Sequence, residues 1–377
     1  MYIHSRKDWP QFHLDRQKVA ERLAAVHQGQ GRLLERMEAL GFRLRQEAAL
    51  RGLTEEVVKS SEIEGERLDA AQVRSSIARR LGIDIGGLKP FDRNVEGIVE
   101  MMLDATGNYE QALTSERLFA WHAALFPSGR SGMSRIIVGA WRDDRKGPMQ
   151  VVSGPIGKEH VYFEAPAATR LPSEMEAFLG WFNRENENDW VLKAGLAHVW
   201  FVTVHPFDDG NGRVARAIAD MALARSERTA QRFYSMSAQI RQEHVAYYEI
   251  LEETQKGTMD VTRWMEWFLG CLHRALDGAA NAFGAVLAKA RFWDSLRDFA
   301  VNERQRTVLN QLLDGFDGKL TTSKWAKLTK SSHDTALRDI AGLLERGILV
   351  RNPGGGRSTS YALAKSPNSE SLGRHTC

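Results

Sequence analysis

The stretch His205-Pro-Phe-Asp-Asp-Gly-Asn-Gly-Arg-Val-Ala-Arg216 constrains this chain more than any other. It falls between two helical patterns: Leu192, Leu196, Val199, Trp200 and Thr203 keep helical spacing up to His205, and the pattern resumes at Val214. A glycine-flanked loop that opens a helix aims several backbone N–H groups at one point, where the helix dipole favours negative charge. The local chemistry is that of a phosphate cradle. Gly210 and Gly212 permit close approach, Asn211 adds a side-chain donor, and Arg213 and Arg216 present guanidinium forks to further phosphates. Asp209 supplies the hard oxygen that a Mg²⁺ bridging those phosphates takes. His205 suits the removal of a hydroxyl proton near neutral pH.

Three other readings of these letters fail. An EF-hand with Gly210 at loop position six puts His205 and Phe207 where acids are needed and Arg216 where the final glutamate belongs. Gly210-x-Gly212-x-x-Ala215 imitates a dinucleotide fingerprint, but the preceding segment reads as helix and no βαβ unit follows. His198 and His205 lack an H-E-x-x-H pattern and further zinc ligands, so His198 reads as a buried helix histidine.

At 377 residues the chain is expected to hold two or three domains. From Leu14 to about Leu53 the apolar spacing predicts a helical hairpin broken near Gly29 and Gly31, followed by a shorter helix from Thr54 to Gly65. Further helices are expected over Asp69 to Leu81 and Arg93 to Leu103. One β-hairpin is expected around Arg135 to Phe163, from the runs RIIVGAWRDD and MQVVSG. After Ala300 the order of helix, helix, helix and a Gly-rich hairpin is that of a winged helix-turn-helix. Lys319 to Tyr361 holds eight Lys/Arg against three Asp/Glu, whereas the whole chain carries only +3. The expected division is a helical region over 1–110, a core over 111–280, the winged helix over 295–364 and a disordered tail over 365–377. Cys271 and Cys377 lie too far apart for a disulfide framework, no secretory h-region opens the chain, and Ala194 to Val204 is short of the ~20 residues of a membrane helix. A reducing, cytoplasmic setting without membrane contact is the expectation.

The loop resembles the Fic family motif His-x-Phe-x-(Asp/Glu)-Gly-Asn-Gly-Arg-x-x-Arg, with every fixed position present from His205 to Arg216. The resemblance implies a mainly α protein: a Fic helical core with a β-hairpin flap, an N-terminal helical domain and a C-terminal winged helix-turn-helix. It also implies transfer of AMP from MgATP to a Ser, Thr or Tyr hydroxyl of a target protein. His205 would be the general base, Asp209 the Mg²⁺ ligand, and Gly210, Asn211 and Gly212 the anion hole. Arg213 would hold the β-phosphate and Arg216 the γ-phosphate, Phe207 would lock the loop from the core, and Tyr247 and Tyr248 would lie against the nucleotide. Flap residues Val151 and Val152 would bind the target segment by strand addition.

Ser60-Ser-Glu-Ile-Glu64-Gly65 resembles the family's inhibitory motif, (Ser/Thr)-x-x-x-Glu-(Gly/Asn). Ser60 and Glu64 lie one helical turn apart, so both can approach the cradle, and Glu64 paired with Arg216 would keep that arginine from the γ-phosphate. Some family members with such a brake also remove AMP, and homodimers are common among them. In the C-terminal region, Lys330, Arg338 and Arg346 are candidates for DNA phosphates and Arg357 for a minor groove, while Thr335, Leu337, Ile340 and Leu344 describe a core face. DNA binding and protein docking both stay open there. So do a nucleotide-sensing DNA-binding regulator and an enzyme using another donor.

Overall fold

The computed structural model describes residues 1–85, 88–153, 160–184, 189–297, 299–313, 316, 318–353 and 359–364, which divide into two compact units, 1–280 and 281–377. Arg357, Cys377 and the 365–377 tail lie outside the described residues.

The first unit begins with α1 (Arg16–Glu38) and α2 (Phe42–Ile63). α1 runs unbroken through Gly29 and Gly31, which corrects the expected break; the chain turns at Ala39–Gly41 instead. Gly29 serves packing: a Cβ there would lie 3.3 Å from Leu276 Cδ1. α2 likewise continues past Thr54, whose hydroxyl donates to Leu50 O at 2.6 Å, so the segment 54–65 is mostly the last turns of one long helix. Then come α3 (Ala70–Leu81), α4 (Arg93–Gly107) and α5 (Ser115–Leu125), each started by an Asp or Thr side-chain cap.

Two small antiparallel pairs follow, β1 (Arg130–Ser131) with β2 (Ser134–Arg135), and β3 (Gln150–Ser153) with β4 (His160–Glu164). The flap is therefore shorter than predicted. The run from Ile136 to Trp141 joins no strand: Ile137 N–H goes to Asp208 Oδ2 at 2.8 Å in the motif loop and Gly139 N–H to His122 Nδ1 at 3.3 Å, and the next residue, Arg142, donates its N–H to Pro206 O at 2.9 Å.

After α6 (Leu171–Asn183), the centre of the unit is α7 (Trp190–Val204) against α8 (Asn211–Glu227). α7 is apolar all round and buried from Val191 to Val204 apart from Leu196, the signature of a central helix. α9 (Met236–Gln242), α10 (His244–Lys256) and the start of α11 (Thr262–Ser295) close the core, where Trp264 Nε1 donates to Gly195 O at 2.8 Å and Cys271 is buried. Among the described residues, no helix is long and apolar enough to cross a membrane.

The second unit holds α12 (Glu303–Leu313), α13 (Thr322–Thr329), α14 (His333–Glu345) and the hairpin β5 (Leu349–Arg351) and β6 (Tyr361–Leu363) around buried Val308, Leu309, Trp325, Ile340 and Leu343. Leu337 departs from the expected core face and is exposed. Arg346 is exposed, and its Nη1 donates to Ala300 O at 2.7 Å.

Gly97 on α4 faces α5 so closely that a Cβ would lie 1.8 Å from Ala124 O. The expected outcome of Gly97→Ala is a loss of about 1–3 kcal/mol or more in urea unfolding; unchanged stability would mean that the α4–α5 contact yields freely.

Candidate active site

His205 ends α7 in the left-handed region, at φ 51°. Its ring Nδ1 lies 3.2 Å from Val202 O, and since a carbonyl only accepts, Nδ1 carries the proton and Nε2 keeps its lone pair. Burial holds the imidazole down at about 4, against an ordinary 6.5; the Val202 carbonyl, Glu64 and Asp209 oppose that lowering and the Arg142 guanidinium adds to it. A base protonated only in acid is thereby built into the turn.

The loop is held from below. Phe207 is fully buried, its ring stacked on His122 at 4.1 Å and tilted against Trp141 at 5.2 Å. Asn211 is committed to the loop itself, accepting Phe207 N–H at 3.0 Å and donating Nδ2 to Phe207 O at 2.8 Å. Its side chain thus locks the loop. Gly210 starts α8 at φ 80°, as the turn demands. His122 Nε2 donates to Asp209 O at 3.2 Å, while the Asp209 carboxylate accepts from the Ser131 hydroxyl and from Gly210 N–H.

Arg213 and Arg216 are almost completely buried on the first turns of α8. Arg216 donates Nε to Ser60 Oγ, and Nη2 to both Ser60 O and Glu64 Oε1, each at 2.8 Å. Arg213 Nη1 meets Glu66 Oε2 at 2.7 Å, and its guanidinium lies over the Phe126 ring. Arg216 Nη1 and Arg213 Nε have no hydrogen-bond partner among the described residues. The end of α2 explains why both acids arrive. Gly65, at φ 83°, donates to Glu62 O, and Glu66 N–H returns to Ser61 O at 3.0 Å. This is a Schellman stop, which needs the left-handed residue that Gly65 supplies and turns Glu66 back toward α8. Two turns earlier, buried Glu56 accepts from Ser235 Oγ at 2.7 Å and Ser237 N–H at 3.0 Å, fixing α2 along its axis. The Glu64 carboxylate presses on the start of α8: a Cβ on Gly212 would lie 2.2 Å from Glu64 Oε1.

A cavity of about 450 Å³ opens above this point, lined by Glu64, His205, Gly212, Val151, Val152, Tyr247 and Tyr248 among others. Val151 and Val152 are both partly exposed, with an irregularity of register between them. Tyr247 is buried, its hydroxyl 2.9 Å from His198 Nε2, whereas Tyr248 is 46% exposed and offers the freer ring. Burial, with Arg216 nearby, holds His198 down at about 3, so it stays a neutral core partner. Beyond Val152 lies a second cleft of about 690 Å³, bordered by Ser131, Arg135, Lys146, Gln150, Asp208 and Asp209. No group of three His, Cys, Asp or Glu gathers among the described residues. The Asp209 carboxylate at this open cleft, with Asp208 beside it, suits Mg²⁺, which keeps waters and takes its other oxygens from phosphates.

Sequence reasoning missed Glu66, Arg142, Ser131 and His122. Glu66 alone carried a local signal, two residues past Glu64 across a glycine; the others reach the loop only through the fold.

Residues 112–223 match the sequence profile of the Fic/DOC family, and residues 2–83 match a domain of unknown function, DUF4172. The segment that carries the flap and the cradle thus matches a Fic/DOC domain. Among similar sequences, the protein adenylyltransferase Fic of Drosophila mojavensis is 26% identical over 220 residues, covering 57% of this chain and 39% of that one. The protein of the same name from Culex quinquefasciatus is 27% identical over 221 residues, with the same shares. This chain spans less than half the length of these curated relatives. A crystal structure of a Fic family protein from Desulfovibrio desulfuricans G20 shares the fold, with a TM-score of 0.51, 21% identity, and coverage of 93% of this chain and 96% of that one.

The histidine geometry predicts that the His205 ring stays neutral from pH 8 down to 6, with a midpoint far below 6.5, in an NMR titration. A midpoint near 6.5 would contradict the assigned burial.

Proposed function

We propose that this chain is a self-inhibited protein adenylyltransferase, which transfers AMP from ATP to a Ser, Thr or Tyr hydroxyl of a target protein. The observation that carries the reading is the Glu64 carboxylate, held by Arg216 at 2.8 Å and pressed on Gly212, in an otherwise complete anion cradle. A carboxylate there occupies part of the place a phosphate takes.

With the brake withdrawn, the N–H groups at the start of α8 and the two guanidinium groups would hold the triphosphate, and Tyr248 would stack on the base. Asp209 would hold Mg²⁺, which when bound neutralises charge on phosphate oxygens. His205 Nε2 would take the proton of the target hydroxyl as its oxygen bonds the α-phosphorus and pyrophosphate departs. Little of the catalysis is covalent; it depends on placement and on charge already in position. The free edge of β3 would bind the target main chain, with Val151 and Val152 in contact. Val151→Pro is expected to abolish target labelling while leaving nucleotide affinity unchanged; unaltered labelling rejects strand addition.

The transfer reading is tested by mass spectrometry after incubation with MgATP and host lysate. Glu64→Gly should raise AMP adducts at least tenfold, since a charge-assisted bond contributes about 1.5–3 kcal/mol. Adding Glu66→Gln should raise them further, and adding His205→Ala should abolish them. Absence of adducts from every variant that still binds ATP overturns the reading.

The basic surplus over Lys319–Tyr361, with Lys330 and Arg338 exposed, supports a second role in contacting DNA through a winged helix. That role predicts duplex affinity that falls steeply with salt; salt-independent or absent binding contradicts it.

A further inference from the structure

Arg142 lies outside the motif, and its side chain is completely buried. It makes four bonds to the machinery around His205. Nε donates to His205 O at 2.8 Å, and the Arg142 N–H donates to Pro206 O at 2.9 Å, so consecutive peptides of the catalytic turn are both held by one residue. Nη1 donates to Asp144 Oδ1 at 2.9 Å and Nη2 to Pro166 O at 2.6 Å. The second Asp144 oxygen accepts Ala168 N–H, also at 2.6 Å. Asp144 precedes β3, whereas Pro166 and Ala168 follow β4. One guanidinium therefore clasps the two roots of the flap and the carbonyl of the histidine.

A non-glycine residue in left-handed backbone persists only where its surroundings over-determine it. At His205, at φ 51°, those surroundings are its own N–H to Phe201 O, its ring to Val202 O, and Arg142. The first two come from α7 itself; Arg142 alone ties the turn to another segment through these bonds.

We propose that Arg142 is a positioning residue: it fixes the His205 peptide, and with it the direction of the imidazole, and couples that direction to the roots of the flap. It touches no reacting atom. A target segment seated on β3 is thus linked by two hydrogen-bonded steps to the base that takes its proton. The kinetic part of this inference rests on the transfer reaction proposed above; the structural part does not.

The charged groups facing His205 are Arg142 from the segment before the flap, Glu64 from the end of α2 and Asp209 from its own loop. Removing Arg142 withdraws the cation and frees the turn, so both changes make the ring easier to protonate.

The test compares Arg142→Gln and Arg142→Lys in the Glu64→Gly protein, with near-ultraviolet circular dichroism as the check on folding. Expected for Arg142→Gln is a raised His205 NMR midpoint and a kcat lowered by about a hundredfold, the scale of a misplaced reacting group, with KM for MgATP changed much less. Arg142→Lys, which keeps the charge and one donor, should recover part of kcat and hold the midpoint lower than Gln does. A folded Gln variant with unmoved midpoint and kcat overturns the proposal, as does a rise in KM alone. Should the Gln variant not fold, the Lys variant decides: lowered kcat at similar KM supports the assignment, and full activity overturns it. If Glu64→Gly shows no transfer at all, the transferase reading fails, while a raised or unmoved His205 midpoint still supports or overturns the positioning of the turn.

Discussion

A guanidinium removed from water must be paired, and Arg216 at 3% exposure is removed from water. Most of the site follows from that constraint. α8 carries Arg216 inward on its first turns, and the partner comes from α2. Glu56, held at Ser235 and Ser237, sets the height of α2; Ser60 takes two of the Arg216 donors; the stop at Gly65 places Glu64 and Glu66 over the two arginines. Among the described residues, Arg216 Nη1, Arg213 Nε and Ser61 Oγ are the buried polar atoms of this arrangement without a hydrogen-bond partner.

The His205 turn is assembled from a different direction. α7 ends because His205 adopts a left-handed backbone, and the following residues are secured by ring packing of Phe207 on His122 and Trp141, by the Asn211 lock and by Arg142. The contacts that place His205 and the carboxylate that meets Arg216 thus come from separate parts of the chain. One belongs to the Fic/DOC domain, and the other to the N-terminal helices that match a different profile.

Much of this was legible in the sequence where the signal is local. The motif, the helices expected over Asp69 to Leu81 and Arg93 to Leu103, and the pair Ser60 and Glu64 at one helical turn depend on neighbours within a few residues. Reading failed where tertiary contacts decide. Gly29 and Gly31 read as a break, yet Gly29 serves the approach of Leu276. RIIV read as a strand, yet its Ile137 donor goes to Asp208. Asn211 read as an anion donor, and its bonds to the Phe207 N–H and carbonyl, which lock the loop, carried no local signal. Arg142, 63 positions before His205, carries no local signal of its role.

The central claim is that an intact phosphate seat is filled by the chain's own carboxylate. Calorimetric titration of MgATP into the wild-type and Glu64→Gly proteins tests it most directly. The account predicts that the variant binds at least tenfold tighter, about 1.4 kcal/mol, because Arg216 no longer exchanges one anion for another. Equal affinities would contradict it and place the Glu64–Arg216 pair outside the nucleotide's path.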